Sequence, residues 1–189
     1  DDRKTQIVPE QGEVTIEDLT PNTQMAVFIT HQGYLKRISL DTFERQNRAT
    51  RGKAGMKTKD DDDIQHFLTA MMHDKVLFFS SKGIVYSLNV YDFPEGGRQS
   101  KGLPIVNVLP IEQGERITAV VPVSNFSHDL NLIMLTQKGY IKRIELDNFA
   151  SIRRSGIIAI SLEEGDKLNW VKLANPNDEI IIGTSCGMA

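Results

Sequence analysis

Short apolar runs alternate with polar turns along the whole chain, and four stretches share one layout. They are AVFITHQGYLKRISL from Ala26, KVLFFSSKGIVYSLNV from Lys75, NLIMLTQKGYIKRIEL from Asn131 and EIIIGTSCGMA from Glu179. Each has a β-rich run, a short polar turn with glycine, and the start of a second run. Each predicts a β-hairpin, with the glycine supplying a positive φ that other residues adopt only at a cost. The turn glycines Gly33, Gly83, Gly139 and Gly187 lie 50, 56 and 48 residues apart. Nearly the same words follow two of them, Tyr-Leu-Lys-Arg-Ile after Gly33 and Tyr-Ile-Lys-Arg-Ile after Gly139.

A second pattern recurs downstream: TRGKAG from Thr50, SKGLPI from Ser100 and RSGIIA from Arg154. An acidic turn then follows, DDDDIQ from Asp60, EQGERI from Glu112 and EEGDKL from Glu163, and after it another apolar run such as ITAVVPV from Ile117. One unit thus holds about four short strands in roughly 50 residues, the size of a propeller blade. The apolar runs are too short, and too often broken by Gly or Pro, for helices of three turns. A β-sandwich would supply short strands but not the repeat. The expectation is therefore an all-β propeller or pinwheel of four-stranded blades, about four of them represented and the last incomplete. It forms a single domain over 1–189, with units near 14–68, 69–121, 122–173 and, in part, 174–189.

Composition adds little to the fold and more to the setting. Of 189 residues, 40% are hydrophobic and 25% charged, an ordinary globular balance. No run reaches the roughly 18 apolar residues of a membrane span. Asp1-Asp2-Arg3-Lys4 shows neither an initiator Met nor a signal sequence, so the chain reads as a segment of a longer cytoplasmic protein. A single cysteine, Cys186, excludes an internal disulfide and reads as a small apolar filler.

The net charge is -3, yet RQNRATRGKAGMKTK, residues 45–59, carries six cations and no acid. Arg45, Arg48, Arg51, Lys53, Lys57 and Lys59 supply charge for a phosphate rail, while Gly52 and Gly55 let the backbone approach it. By itself the stretch also reads as a solvated loop balanced by Asp60–Asp63. Recurrence favours the first reading, because the matching places in the next units carry Arg98 and Lys101, then Arg153 and Arg154. Loops in register on a propeller form a belt. Lys36, Arg37, Lys142 and Arg143 extend the candidate set on the repeated hairpins; they read equally as exposed strand ends whose stems cover apolar surface.

HQGYLKRISLDTFERQNRATRGKAG, SKGLPIVNVLPIEQGERITAVVPV and TQKGYIKRIELDNF together resemble the C-terminal DNA-wrapping domain of the bacterial DNA gyrase A protein. The resemblance runs in order from about Val14 to the end. It implies a propeller whose blades exchange strands, with double-stranded DNA bent around the outer rim. It also implies a parent type II topoisomerase in which this domain is non-catalytic. Its partners would be the remainder of the gyrase A protein and the gyrase B protein in an A2B2 assembly. ATP and Mg2+ would be used elsewhere in that assembly, and its setting would be the bacterial cytoplasm and nucleoid. The family's signature box reads Gln, two basic residues, Gly-Gly, a basic residue and Gly. Here the corresponding stretch is Gln46-Asn47-Arg48-Ala49-Thr50-Arg51-Gly52-Lys53-Ala54-Gly55, longer and lacking the Gly-Gly pair. That departure keeps the related topoisomerase IV domain, with weaker wrapping, as the near alternative.

Other chemistry is absent from the sequence pattern. RGKAG lacks the first glycine of a P-loop and has Ala54 where Ser or Thr would meet magnesium. Asp60–Asp63 lacks EF-hand spacing and reads as a solvated acidic turn. His31, His66, His73 and His128 form no metal-ligand pair, so neither a metal nor a cofactor is expected in this chain, and no catalytic residue. Trp170 reads as a packing residue. The rival class is a protein-interaction propeller, whose binding would be insensitive to salt.

Overall fold

The computed structural model describes residues 15–42, 62–97, 100–185 and 187. A four-residue helix, Ile16–Leu19, is closed at its start by a capping box between Thr15 and Asp18. Apart from three short 3-10 turns, the regular elements of the described residues after it are strands: β1 (Gln24–Thr30), β2 (Tyr34–Ser39), β3 (Ile64–Met71), β4 (Lys75–Ser80), β5 (Ile84–Asn89), β6 (Leu103–Pro104), β7 (Ile117–Val123), β8 (Asn131–Thr136), β9 (Ile141–Glu145), β10 (Ile157–Ile158) and β11 (Leu168–Ala174).

These strands form three antiparallel sheets, ordered β3-β1-β2-β6, β10-β5-β4-β7 and β11-β8-β9. Each sheet is centred on one predicted hairpin, β1/β2, β4/β5 or β8/β9. The strand after the acidic turn pairs back on the hairpin's first strand: β3 on β1, β7 on β4, β11 on β8. The fourth strand comes from the following repeat. Leu103 and Pro104 of the second unit pair with β2, and Ile157 and Ile158 of the third pair with β5. Blades therefore exchange strands, and the sheets cut across unit limits drawn at 68/69 and 121/122.

Alternation along β4 shows why the sheets stack. Val76 and Phe78 join one apolar cluster with Met25, Val27, Ile29 and Leu35 of the first sheet. Leu77 and Phe79 point the other way, into a second cluster with Leu132 and Met134 of the third and Leu146 just after β9. A strand buried on both faces reads as a continuous apolar run, as this one does (KVLFFS), because period two then separates two cores rather than core from solvent.

The four hairpin turns close alike. The amides of Gly33, Gly83, Gly139 and Gly187 donate to the carbonyls of Thr30, Ser80, Thr136 and Thr184 at 2.9–3.1 Å. The glycine φ values are 80, 77, 93 and 77°. The fourth predicted hairpin differs in its first run: residues 179–185 carry no strand, and Ile181 is 89% exposed. A run with no pairing partner in the described chain leaves its backbone groups to water. Trp170 also differs from expectation. It sits at the register shift between Leu168 and Trp170 and is 53% exposed rather than packed.

Candidate nucleic-acid interface

The recurring glycines of the downstream pattern set the arms that cross between blades. Gly102 has φ 85°, and a Cβ there would lie 2.5 Å from the Leu35 carbonyl oxygen; Gly156 has φ 78°, and a Cβ would lie 2.8 Å from the Tyr86 ring. Only glycine lets the arm enter this close to the hairpin it completes. Immediately before these glycines the arms leave the sheet, and there Lys101, Arg153 and Arg154 are exposed. Lys101 rests its ammonium over the Tyr34 ring, 3.9 Å from the centroid. The arms are laid on β2 and β5 in the same way, so these cations occupy corresponding ends of successive sheets. Arg45, Arg48, Arg51, Gly52, Lys53, Gly55, Lys57, Lys59 and Arg98 lie outside the described residues, and with them the whole box-like stretch 46–55.

The Lys-Arg pairs of the hairpins divide differently. Lys36 is 1% exposed, not an open strand end. Its Nζ donates to the carbonyls of Gly97 at 3.1 Å and Ser100 at 2.8 Å, and sits 5.7 Å from the Phe28 ring centroid. Burial holds its pKa below the ordinary lysine value. Arg37 is half-buried, with one guanidinium nitrogen against Met72 Sδ and the other 3.7 Å from Glu95 Oε2. Lys142 is half-buried and donates to the Ala159 carbonyl at 2.7 Å. Arg143 is exposed, its Nε donating to Asn131 Oδ1 at 3.1 Å. Of these four, Arg143 alone presents an exposed side chain on the surface.

The acidic turns are not merely solvated. Asp62, Glu115 and Asp166 are 6, 8 and 8% exposed and stand at one register, two residues before the apolar residues Ile64, Ile117 and Leu168. Asp62 Oδ1 accepts the Gln32 amide at 3.0 Å, and Asp166 Oδ1 accepts the Lys138 amide at 3.0 Å, so each carboxylate pins a hairpin turn. Burial pushes the Asp166 carboxyl up, but bonds from the Thr136 hydroxyl and the amides of Lys138 and Lys167 outweigh it and hold the pKa below the usual value. Glu115 is one methylene longer and reaches instead to the buried Tyr86 hydroxyl. The recurrence of an acid two positions before an apolar strand start was the available sequence signal for these residues.

His128, Glu145 and Asp147 place one ligand atom each within 4.8 Å of one another on the surface. The His128 Nδ1 to Asp147 Oδ2 distance of 2.8 Å is that of a hydrogen-bonded pair, and the imidazole is 81% exposed. Among the described residues, no helix is long and apolar enough to cross a membrane.

Stacked, strand-exchanging antiparallel sheets, two of four strands and one of three, with cations at the crossing arms define a β-propeller repeat domain. The family model described as "DNA gyrase C-terminal domain, beta-propeller" matches residues 24–70, 74–124 and 130–175, one match per sheet-forming repeat, and the chain belongs to that family. It is 54% identical over 187 residues, 99% of its length, to the DNA gyrase A protein of Synechocystis sp.. It is 46% identical over 179 residues, 95% of its length, to the chloroplastic/mitochondrial DNA gyrase A protein of Nicotiana benthamiana. It spans 22% and 19% of those relatives, about a fifth of their length. A crystal structure of the C-terminal domain of DNA topoisomerase IV superposes on 81% of this chain and 46% of its own with TM-score 0.69 and 27% identity. A DNA gyrase A C-terminal domain covers 81% of this chain and 48% of its own, with TM-score 0.60 and 23% identity, and supports the fold.

Proposed function

We infer that this chain binds and bends double-stranded DNA along the edge where its arms cross, as the wrapping domain of a type II topoisomerase. The observation that carries the reading is the repeated placement of Lys101, Arg153 and Arg154, all exposed, just before the glycines Gly102 and Gly156 of successive arms. Cations repeated on successive blades meet phosphates without reading bases, and a duplex that follows them from blade to blade is bent. The chain's own surface thus does three things: it attracts the duplex, curves it, and leaves it free to slide. Presented to a strand-passage gate, a wrapped segment of fixed hand would be passed in one sense and introduce negative supercoils.

The family membership extends the reading to the chain's setting. Its partners are the remainder of a gyrase A protein and a gyrase B protein, with ATP and Mg2+ acting in those other parts. Plant relatives named as chloroplastic/mitochondrial widen the compartment beyond the bacterial cytoplasm. The topoisomerase IV likeness, with the departed box, supports a second reading in which DNA is bound but not wrapped with a fixed hand.

One topology assay separates these readings. The chain is bound to relaxed circular DNA, a nicking-closing topoisomerase is added, and linking number is read after deproteinisation. A shift that diminishes in a chain carrying Lys101→Gln, Arg153→Gln and Arg154→Gln is the result expected for wrapping. Salt-sensitive binding with no shift favours the topoisomerase IV-like reading. Binding indifferent to salt overturns both in favour of a protein-interaction scaffold.

A further inference from the structure

We propose that Lys36 is a positioning residue that holds the DNA-facing arm in place from inside the protein, rather than a phosphate contact. This inference rests on the DNA-binding reading above. The arm of the second repeat runs through Pro94–Gly97 and Ser100–Pro104 before its two residues pair with β2. Its backbone is tied to β2 at Arg37, whose amide donates to Pro94 O at 3.0 Å while its carbonyl accepts the Gly96 amide at 3.0 Å. Beyond Gly96 that pairing ends, and the Lys36 ammonium takes over by joining the Gly97 and Ser100 carbonyls. Lys101 follows directly.

A lysine suits this task for three reasons. Its stem is long enough to run from β2 beneath the arm, where a Cβ on Gly96 would lie 3.5 Å from Lys36 Cδ. Its several donors let one ammonium bridge two carbonyls, that of Ser100 and that of Gly97, which also accepts the Ser100 amide. Its charge is buried, yet it is bonded to two carbonyl oxygens and faces the Phe28 ring, which offsets desolvation. The matching residue of the third repeat, Lys142, also bonds an arm carbonyl, but that of its own repeat and past the arm strand, at Ala159 after β10, so the Lys36 arrangement belongs to the first sheet. In the second repeat the same register holds Tyr86, which also turns its polar tip inward.

The test begins with the unmodified chain, so that no variant needs to fold. Lysines are labelled briefly with an amine-reactive reagent, with and without a linear DNA duplex. Lys36 is expected to resist labelling in both states, whereas Lys101 is labelled in the free chain and protected by DNA. Labelling of Lys36 that DNA suppresses would overturn the proposal. Labelling of Lys101 that DNA leaves unchanged would instead count against the DNA reading of this arm. The second measurement is a cycle of Lys36→Met, Lys101→Gln and the double variant, each titrated with duplex across salt. Lys36→Met should weaken binding about fivefold to tenfold near 0.1 M salt and flatten the log–log salt slope by about 0.9, the loss of one phosphate contact. In the Lys101→Gln background it should do neither. Equal losses in both backgrounds would make Lys36 a direct contact; an unchanged affinity and slope would leave it a purely structural residue, and either result overturns the proposal.

Discussion

The Tyr86 hydroxyl meets both carboxylate oxygens of Glu115, at 3.1 and 3.2 Å, in a buried site between the first and second sheets. Burial, and then the negative charge of Glu115, push the phenol up to about 12. The unfolded chain releases this proton near pH 10 while the folded chain retains it, so folding stability is full below about pH 10 and falls as pH rises toward 12. In Tyr86→Phe the component of that fall due to this phenol should disappear. Urea unfolding of both proteins at pH 8, 10 and 11 checks it; identical pH dependence would show that the pair does not titrate as described.

The arm glycines admit no side chain. Gly102→Ala demands both a positive φ and a Cβ 2.5 Å from the Leu35 carbonyl oxygen, so the arm has to move. The strained conformation alone costs about 1–3 kcal/mol. Gly114→Ala is the control, since its φ is also positive at 80° but its Cβ would meet nothing within 4 Å. Denaturant unfolding should rank Gly102→Ala clearly below Gly114→Ala.

At low pH the turn carboxylates decide. Because hydrogen bonds to the ionised form depress the Asp166 pKa, its contribution is present above the unfolded value of about 3.9 and is lost as pH falls through the folded one. Asp166→Asn should therefore lower the melting temperature at pH 7 and narrow the difference from the parent chain as pH falls below about 4. Thermal melts across that range read the convergence, and a constant gap would speak against it.

For the exposed cations the readout is salt. Lys101→Gln, Arg153→Gln and Arg154→Gln should each flatten the slope of log affinity against log salt by about 0.9 if the side chain neutralises one phosphate. Arg143→Gln, on the third sheet and tied to Asn131, provides the comparison on a hairpin strand. Fluorescence anisotropy with a labelled duplex at several salt concentrations gives the slopes.

The repeat, its hairpins and their turn glycines were legible because period-two alternation and a positive-φ turn are local properties, written over a few neighbouring residues. Lys36 and Arg143 show where legibility ended. Both sit in the same Tyr-x-Lys-Arg word context, and the sequence treats both as exposed cations. In the structure one is buried under an arm from some 60 residues downstream and the other is exposed. Asp62 likewise carries the composition of a solvated turn, and only the fold turns it onto the Gln32 amide.

By itself, then, the sequence determined an all-β repeat with cations gathered before recurrent glycines, since strand formation, turn sign and charge density depend on near neighbours. Only the tertiary structure decided that the two-residue strands β6 and β10 complete the preceding sheets, and hence which cations face solvent. Strand exchange joins residues of different repeats, and whether a charged side chain faces water or a carbonyl depends on what packs over it.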